Sequence, residues 1–311
     1  MRQRNNIPAL LAAIALAVPV WGQEGAAVFR ADTRLVVLHA TVVDKHGKLI
    51  TNLDRNAFQV FEDGVEQPIK IFRREDVPVS MGILVDNSGS MRDKRRKVED
   101  AAMALVKASN PYDEIFVVNF NDEAYLDVDF TSDPKKLEEG VARIDSRGGT
   151  AMRDAIDLAM DHLLKKAKRD KKVLVVITDG NDNASEISLE RLIQRTQQRE
   201  VAIYTIGLLD EEERREARRA KRALDALAEA TGGQAYYPKN VDDVGKFTLE
   251  VAHEIRNQYT LAYSPLNANL DGTFRQVKVT VKAKGNPRVR TRSGYYAIPE
   301  LARTGAGAPG S

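Results

Sequence analysis

From residue 77 onward the chain alternates between short apolar runs and amphipathic stretches, and this constrains its fold more than any other feature. The apolar runs lie at 79–85, 114–120, 173–177 and 201–206. Each is brief, rich in β-branched residues and nearly all apolar, the pattern of a parallel strand covered on both faces. Between and after them, helical periodicity predicts helices over about 92–109, 134–144, 152–166, 189–199 and 211–231. Asp133-Pro134 and Ser188 fit helix starts, and Gly232-Gly233 fits a stop. A short strand at 234–237 and a helix at about 242–257 follow. Strand and helix in repeated succession predict an α/β fold with a doubly wound, mostly parallel sheet over residues 77–240. Such sheets hold ligands beyond the carboxyl ends of their strands.

The flanks have a different rhythm. Residues 28–75 alternate at period two in runs at 35–43, 57–61 and 69–72, with turns at Lys45-His46-Gly47-Lys48 and Glu62-Asp63-Gly64. Strand signals return at 258–263, 274–281 and 289–295, separated by turns at 269–272 and 285–287. Each half-sheet is marginal alone. The expectation is a small flanking β-sandwich formed from the N- and C-terminal segments, the latter at 241–298 with its leading helix, and the α/β domain inserted between them. Residues 299–311 are mostly small or polar and are expected to form a flexible tail.

Residues 1–22 read as a signal peptide: Arg2 and Arg4 precede an uncharged apolar stretch from Ile7 to Trp21. That stretch is shorter than the roughly 20 residues that span a bilayer, and Pro8 and Pro19 interrupt it. The expected location is therefore periplasmic or secreted, with no stable membrane anchor after cleavage. The chain has no cysteine, which excludes a lipid-anchoring cysteine, disulfides, thiolate metal sites and cysteine catalysis. Lys+Arg total 47 and Asp+Glu 45; residues 1–22 hold two of the arginines and no acid, so the remainder is neutral. A neutral chain gives no electrostatic reason to expect nucleic acid as a partner.

The residues just past the predicted strands carry the chemistry. Asp86-Asn87-Ser88-Gly89-Ser90 follows the first, Arg147-Gly148-Gly149-Thr150 opens the helix at 152, and Thr178-Asp179-Gly180 follows the third. Three loops at one end of a sheet thus offer Asp86, Ser88, Ser90, Thr150 and Asp179. Two carboxylates, three hydroxyls and retained water suit a hard cation, Mg²⁺ with Mn²⁺ or Ca²⁺ as alternatives. Neutral hydroxyls leave the ion electrophilic toward an incoming carboxylate. Any one loop reads more simply as a helix N-cap; three in the required order do not.

These five positions match the metal-ion-dependent adhesion site of von Willebrand factor A domains, which the chain resembles over about residues 77–240. The resemblance implies that Ser88, Ser90 and Thr150 ligate the metal directly. It also implies that Asp86 and Asp179 act directly or through water, and that a protein partner's Asp or Glu completes the shell. The flanking Phe58-Gln59-Val60-Phe61-Glu62-Asp63-Gly64, Tyr259-Thr260-Leu261-Ala262-Tyr263-Ser264 and Gly294-Tyr295-Tyr296 resemble those of bacterial VWFA-related domain proteins, many from Acidobacteria.

The expected function is an exported binding protein rather than an enzyme. The alternative is a Mg²⁺-dependent phosphohydrolase, whose aspartates also sit at strand ends. That chemistry wants a second Asp two residues after the first, where this chain has Ser88. His39, His46, His162 and His253 are scattered without metal spacing, and neither a phosphate-binding P-loop nor a Gly-x-Ser-x-Gly elbow occurs. The charged run at 210–221 reads as a solvated helix. Asp182 and Asn183 read as turn residues that could line the metal rim. Arg147 and Met91 are expected to flank the site and shape partner choice.

Overall fold

The computed structural model describes residues 35–299, apart from 75, 143–145, 181 and 210–213. The expected leader at 1–22, the start of the N-terminal β segment at 28–34 and nearly all of the expected tail lie outside the described residues.

Four strands come first: β1 (Val36–Val43), β2 (Phe58–Glu62), β3 (Val65–Gln67) and β4 (Ile69–Arg73). The α/β region then runs β5 (Val79–Asp86), α1 (Arg95–Ala108), β6 (Glu114–Phe120), β7 (Ala124–Thr131), α2 (Pro134–Val141) and α3 (Met152–Lys166). It continues through β8 (Lys171–Thr178), α4 (Leu189–Arg199), β9 (Val201–Gly207), α5 (Arg214–Thr231), β10 (Ala235–Tyr236) and α6 (Val244–Arg256). The last strands are β11 (Tyr259–Tyr263), β12 (Phe274–Val281), β13 (Arg288–Arg290) and β14 (Gly294–Tyr296).

The central sheet has the order β10-β9-β8-β5-β6-β7 and is parallel except for β7, which runs antiparallel along β6. Every residue of β5 is buried, because helices cover both faces of the sheet. Successive side chains on a strand point to opposite faces. Ile83 and Val85 accordingly join one core with Leu105 of α1, Leu137 of α2 and Val251 of α6. Leu84 joins the other, with Ile156 of α3, Leu192 of α4 and Leu224 of α5. Burying each such side chain contributes about 1.5–3 kcal/mol. α6, which by sequence goes with the C-terminal strands, lies against α1 through this first core.

The flanking strands form two four-stranded sheets, β13-β1-β11-β4 and β14-β12-β2-β3, each mixing N- and C-terminal segments. Leu38 stands opposite Leu261 in one sheet and Val60 opposite Val279 in the other. Their inner faces share a core that includes Leu38, Val60, Tyr259 and Val277. The sandwich closed by both ends of the described chain is thus present, as the sequence predicts.

Local differences have physical causes. β7 escapes sequence reading because Asp127 and Asp129 interrupt it, yet Leu126, Val128 and Phe130 alternate as an edge strand's residues do. The strand expected at 289–295 divides in two. β13 pairs with β1 and β14 with β12, so its halves serve different sheets. Between them Ser293 donates its backbone N–H to the Ala230 carbonyl at 3.3 Å. The helix expected from 92 is preceded by a tighter 3₁₀ turn, Gly89–Lys94. Among the described residues, no helix is long and apolar enough to cross a membrane.

Candidate metal centre

The chain steps from β5 to β6 on one side, then returns to lay β8 on the other side of β5. The reversal puts the carboxyl ends of β5 and β8 at the switch point of the sheet, the position where doubly wound sheets bind ligands. Asp86 ends β5 and Asp179 follows β8 directly. Ser88 and Ser90 continue the β5 loop, and Thr150 lies just before α3.

Hydrogen bonds interlock the loops. Gly89 N–H donates to Gly148 O at 3.1 Å, and Arg147 N–H to Asn87 O at 2.9 Å. Asp86 accepts from Ser88 N–H through Oδ1 at 2.8 Å and from the Thr178 hydroxyl through Oδ2 at 2.6 Å. The Ser88 and Ser90 hydroxyls lie 3.1 Å apart. Asp86, Ser88 and Thr150 are buried, at 2%, 1% and 2% exposure, while Ser90 is exposed and Asp179 half-buried. The N-cap reading fails on geometry. Ser88 precedes the 3₁₀ turn, but its side chain makes no capping hydrogen bond, and α3 is preceded by Ala151 rather than Thr150. The capping serine at Ser188 does cap, accepting from Arg191 N–H at 3.2 Å. The Ser88 and Ser90 hydroxyls meet each other instead of capping a helix.

The family described as von Willebrand factor type A domain matches residues 81–181. The chain contains a von Willebrand factor type A domain. Over 105 residues it is 35% identical to an uncharacterized protein of Borreliella burgdorferi, a stretch covering 32% of this chain and 30% of that one. Over 79 residues it is 37% identical to human integrin alpha-11, covering 24% of this chain and 7% of the integrin. The chain therefore spans under a third of either relative. A solved structure with a similar fold is the vWF domain of the type V pili tip protein Mfa5 from Porphyromonas gingivalis, with a TM-score of 0.50 at 12% identity, covering 58% of this chain and 95% of that one.

Within the VWA domain the electrostatics are unbalanced. Burial, and after it the negative charge of Asp179, push the Asp86 carboxyl up to about 7 despite the hydrogen bonds from Thr178 and Ser88. Asp179 Oδ1 is buried and makes no hydrogen bond. A buried acceptor without a donor costs about 1–3 kcal/mol. Two neighbouring carboxylates, one with an orphaned oxygen, beside hydroxyls that cap nothing, fit a cation. Among the described residues no group of three or more His, Cys, Asp or Glu side chains is arranged to hold a metal. Here only two carboxylates contribute, so the donor set is that of a hard, oxygen-seeking ion.

The surroundings of the VWA site correct one expectation. Met91 is 1% exposed and lies in the core with Val98 and Leu105, because the 3₁₀ turn rolls its apolar side chain beneath α1. It cannot meet a partner. Arg147 is exposed, as expected. Asp182 faces Arg153, with Oδ1 3.1 Å from Nη2, and accepts from the Arg153 backbone N–H at 2.8 Å, so it anchors the start of α3. The histidines lie elsewhere: His162, for example, stacks on Phe130 and sits 2.9 Å from Asp129.

Of the residues that hold the candidate ligand loops, the sequence pointed to Asn183 only as a turn residue that could line the metal rim, and did not point to Asp122 or Asn119. Asn183 Oδ1 accepts from Thr150 N–H at 2.9 Å, and Asn183 N–H donates back to Thr150 O at 3.1 Å. Asp122, in the turn between β6 and β7, accepts from Gly149 N–H at 2.7 Å. Asn87 reaches Asn119 at 2.8 Å, which in turn donates to Asp127 at 2.7 Å. The one available signal was position, since Asp122 also follows a strand at the carboxyl end of the sheet.

Proposed function

We propose that this protein is an exported binding module whose VWA domain holds a divalent cation, Mg²⁺ or a close substitute, among Asp86, Ser88, Ser90, Thr150 and Asp179. The bound ion serves to grip a carboxylate from a protein partner. One observation carries the reading: two neighbouring buried-side carboxylates, one pushed up to about 7 and the other with an orphaned oxygen, beside hydroxyls that cap no helix. Asp86 and Asp179 supply the charge. Ser88, Ser90 and Thr150 supply neutral oxygens, which leave the ion electrophilic enough to attract an Asp or Glu side chain. A phosphohydrolase of that kind would want a second Asp at position 88, two residues after Asp86, and the chain has Ser88 there, buried and 3.1 Å from the Ser90 hydroxyl. Export rests on the basic and apolar character of residues 1–22. Exposed Arg147 lies in the loop joined to Asn87 and is our candidate for discriminating between partners.

The test is thermal unfolding of chelator-stripped protein during titration with Mn²⁺ or Mg²⁺, for the wild type and for Asp179→Ala. An ion that binds only the folded state stabilises by about 2.7 kcal/mol at a hundredfold excess over Kd. For a domain of this size the midpoint should rise by roughly 5–10 °C. The rise should be absent in Asp179→Ala. An equal rise in both proteins would place the ion elsewhere, and none in either would remove the metal from the mechanism.

A further inference from the structure

We infer that Asp122 is a positioning residue for the metal site: its carboxylate, working opposite Asn183, straps the Gly148-Gly149-Thr150 segment into the conformation that presents the Thr150 hydroxyl. The inference rests on the metal-binding reading above and extends it to a residue outside the five-residue motif.

The strap has two sides. On one, Asp122 Oδ1 accepts from Gly149 N–H at 2.7 Å. On the other, Asn183 Oδ1 accepts from Thr150 N–H at 2.9 Å, and the Asn183 and Ala184 N–H groups both donate to Thr150 O at 3.1 Å. Two consecutive backbone N–H groups are thus held by side chains from two different strand-end loops, 27 and 33 residues away in sequence. Gly148 adopts φ +75°, a conformation that disfavours a side chain. A Cβ there would lie 1.9 Å from Asp122 Oδ2, and a Cβ on Gly149 would meet Asn183 Oδ1 at 2.6 Å and Asp122 Oδ1 at 2.9 Å. The two glycines are therefore the space the strap occupies. Asp122 itself is solvent-exposed. It covers no core, and a carboxylate-to-amide hydrogen bond at the surface contributes little to global stability. Its effect falls on the loop, and residues that orient metal ligands from behind typically change metal affinity 10–100-fold when removed.

The experiment measures Mn²⁺ affinity by electron paramagnetic resonance of free Mn²⁺, with the melting temperature of the metal-free protein alongside. Wild type, Asp122→Ala and Asp122→Asn are compared. Asp122→Ala should weaken Mn²⁺ at least tenfold while the metal-free melting temperature stays within about 2 °C of wild type. Asp122→Asn keeps an oxygen acceptor without the charge and should recover most of the affinity, because the role is geometric. Asn183→Ala, which cuts the other side of the strap, should also weaken Mn²⁺. If wild type binds Mn²⁺ and Asp122→Ala binds it equally well, the strap is refuted while the metal site stands. If Asp122→Asn is as weak as Asp122→Ala, the carboxylate acts through its charge and the positioning role is refuted. If wild type binds no Mn²⁺, the metal reading fails and the strap fails with it.

Discussion

Two buried carboxylates, one at the junction with the sandwich and one at the carboxyl end of the central sheet, have been treated very differently. Glu254, on α6 where the α/β region meets the sandwich, is 4% exposed. It accepts from the hydroxyls of Thr41 at 3.0 Å, Tyr204 at 3.0 Å and Tyr236 at 3.3 Å, and it pairs with the Arg290 guanidinium. Donors from β1, β9, β10 and β13 converge on one acid, so its charge is compensated from within the protein. Asp86, at 2% exposure, receives two hydrogen bonds but faces the negative Asp179 instead of a cation. Burial of charge is tolerated where it is paired and costly where it is not. The junction is finished by the chain alone; at the carboxyl end Asp86 sits beside another negative charge, the arrangement on which the proposed cation rests.

That contrast predicts opposite consequences for removing a carboxylate. The largest effect belongs to the junction. Glu254→Ala leaves Arg290 without its carboxylate and three hydroxyls without their acceptor. It should cost about 3 kcal/mol or more in chemical denaturation, with or without metal. Glu254→Gln should recover part of this by keeping an acceptor. A loss under about 1 kcal/mol would mean that the convergence of donors is incidental and the contrast is false.

The junction also contains a buried cation with its own pH signature. Lys171, at the start of β8 and 5% exposed, donates to the Ile255 carbonyl near the end of α6. Burial lowers its ammonium to about 8, against the opposing pull of Asp76, Asp113 and Glu254. The unfolded chain holds this proton up to about 10.5. Between those values the unfolded state binds more protons, so stability rises with pH. Denaturation between pH 7.5 and 9.5, below the range where exposed tyrosines ionise, should show a gain of about 1–2 kcal/mol. Lys171→Met should flatten it. An unchanged slope in that variant would mean that the ammonium is hydrated and the junction wetter than its geometry implies.

What could be read from sequence divides along the same line. β5, β6, β8 and β9 were legible because strands covered on both faces are written in short, mostly apolar runs rich in Val and Ile. β7 was not, because an edge strand shows water one face and admits Asp127 and Asp129. In the candidate site, Asp86, Ser88, Ser90, Thr150 and Asp179 stood out because their spacing is local to strand ends. Asp122 did not, and Asn183 stood out only as a turn residue, because accepting a hydrogen bond from Gly149 or Thr150 depends on loops that meet only in three dimensions. Glu254 was equally silent: nothing in its helix announces that Thr41, 213 residues away, donates to it. Met91 misled because proximity in sequence to Ser90 says nothing about which way a 3₁₀ turn rolls.

The smallest effect is the most discriminating. Asp179→Asn in metal-free protein at neutral pH removes the charge that opposes Asp86 and replaces an orphaned acceptor with an amide that can donate. It should leave stability unchanged or raise it by about 1 kcal/mol, the scale of one pKa unit of relieved repulsion. A carboxylate serving structure gives the reverse result when neutralised, as Glu254 should. If Asp179→Asn destabilises the metal-free protein by more than about 1 kcal/mol, Asp179 has a structural partner after all, and the carboxyl end is not the unfinished half of the molecule. If instead the variant is as stable as wild type and loses the Mn²⁺-induced rise in melting temperature, the two ends differ as the geometry implies. One carboxylate is then kept for the fold, and the other for a cation the chain does not itself supply.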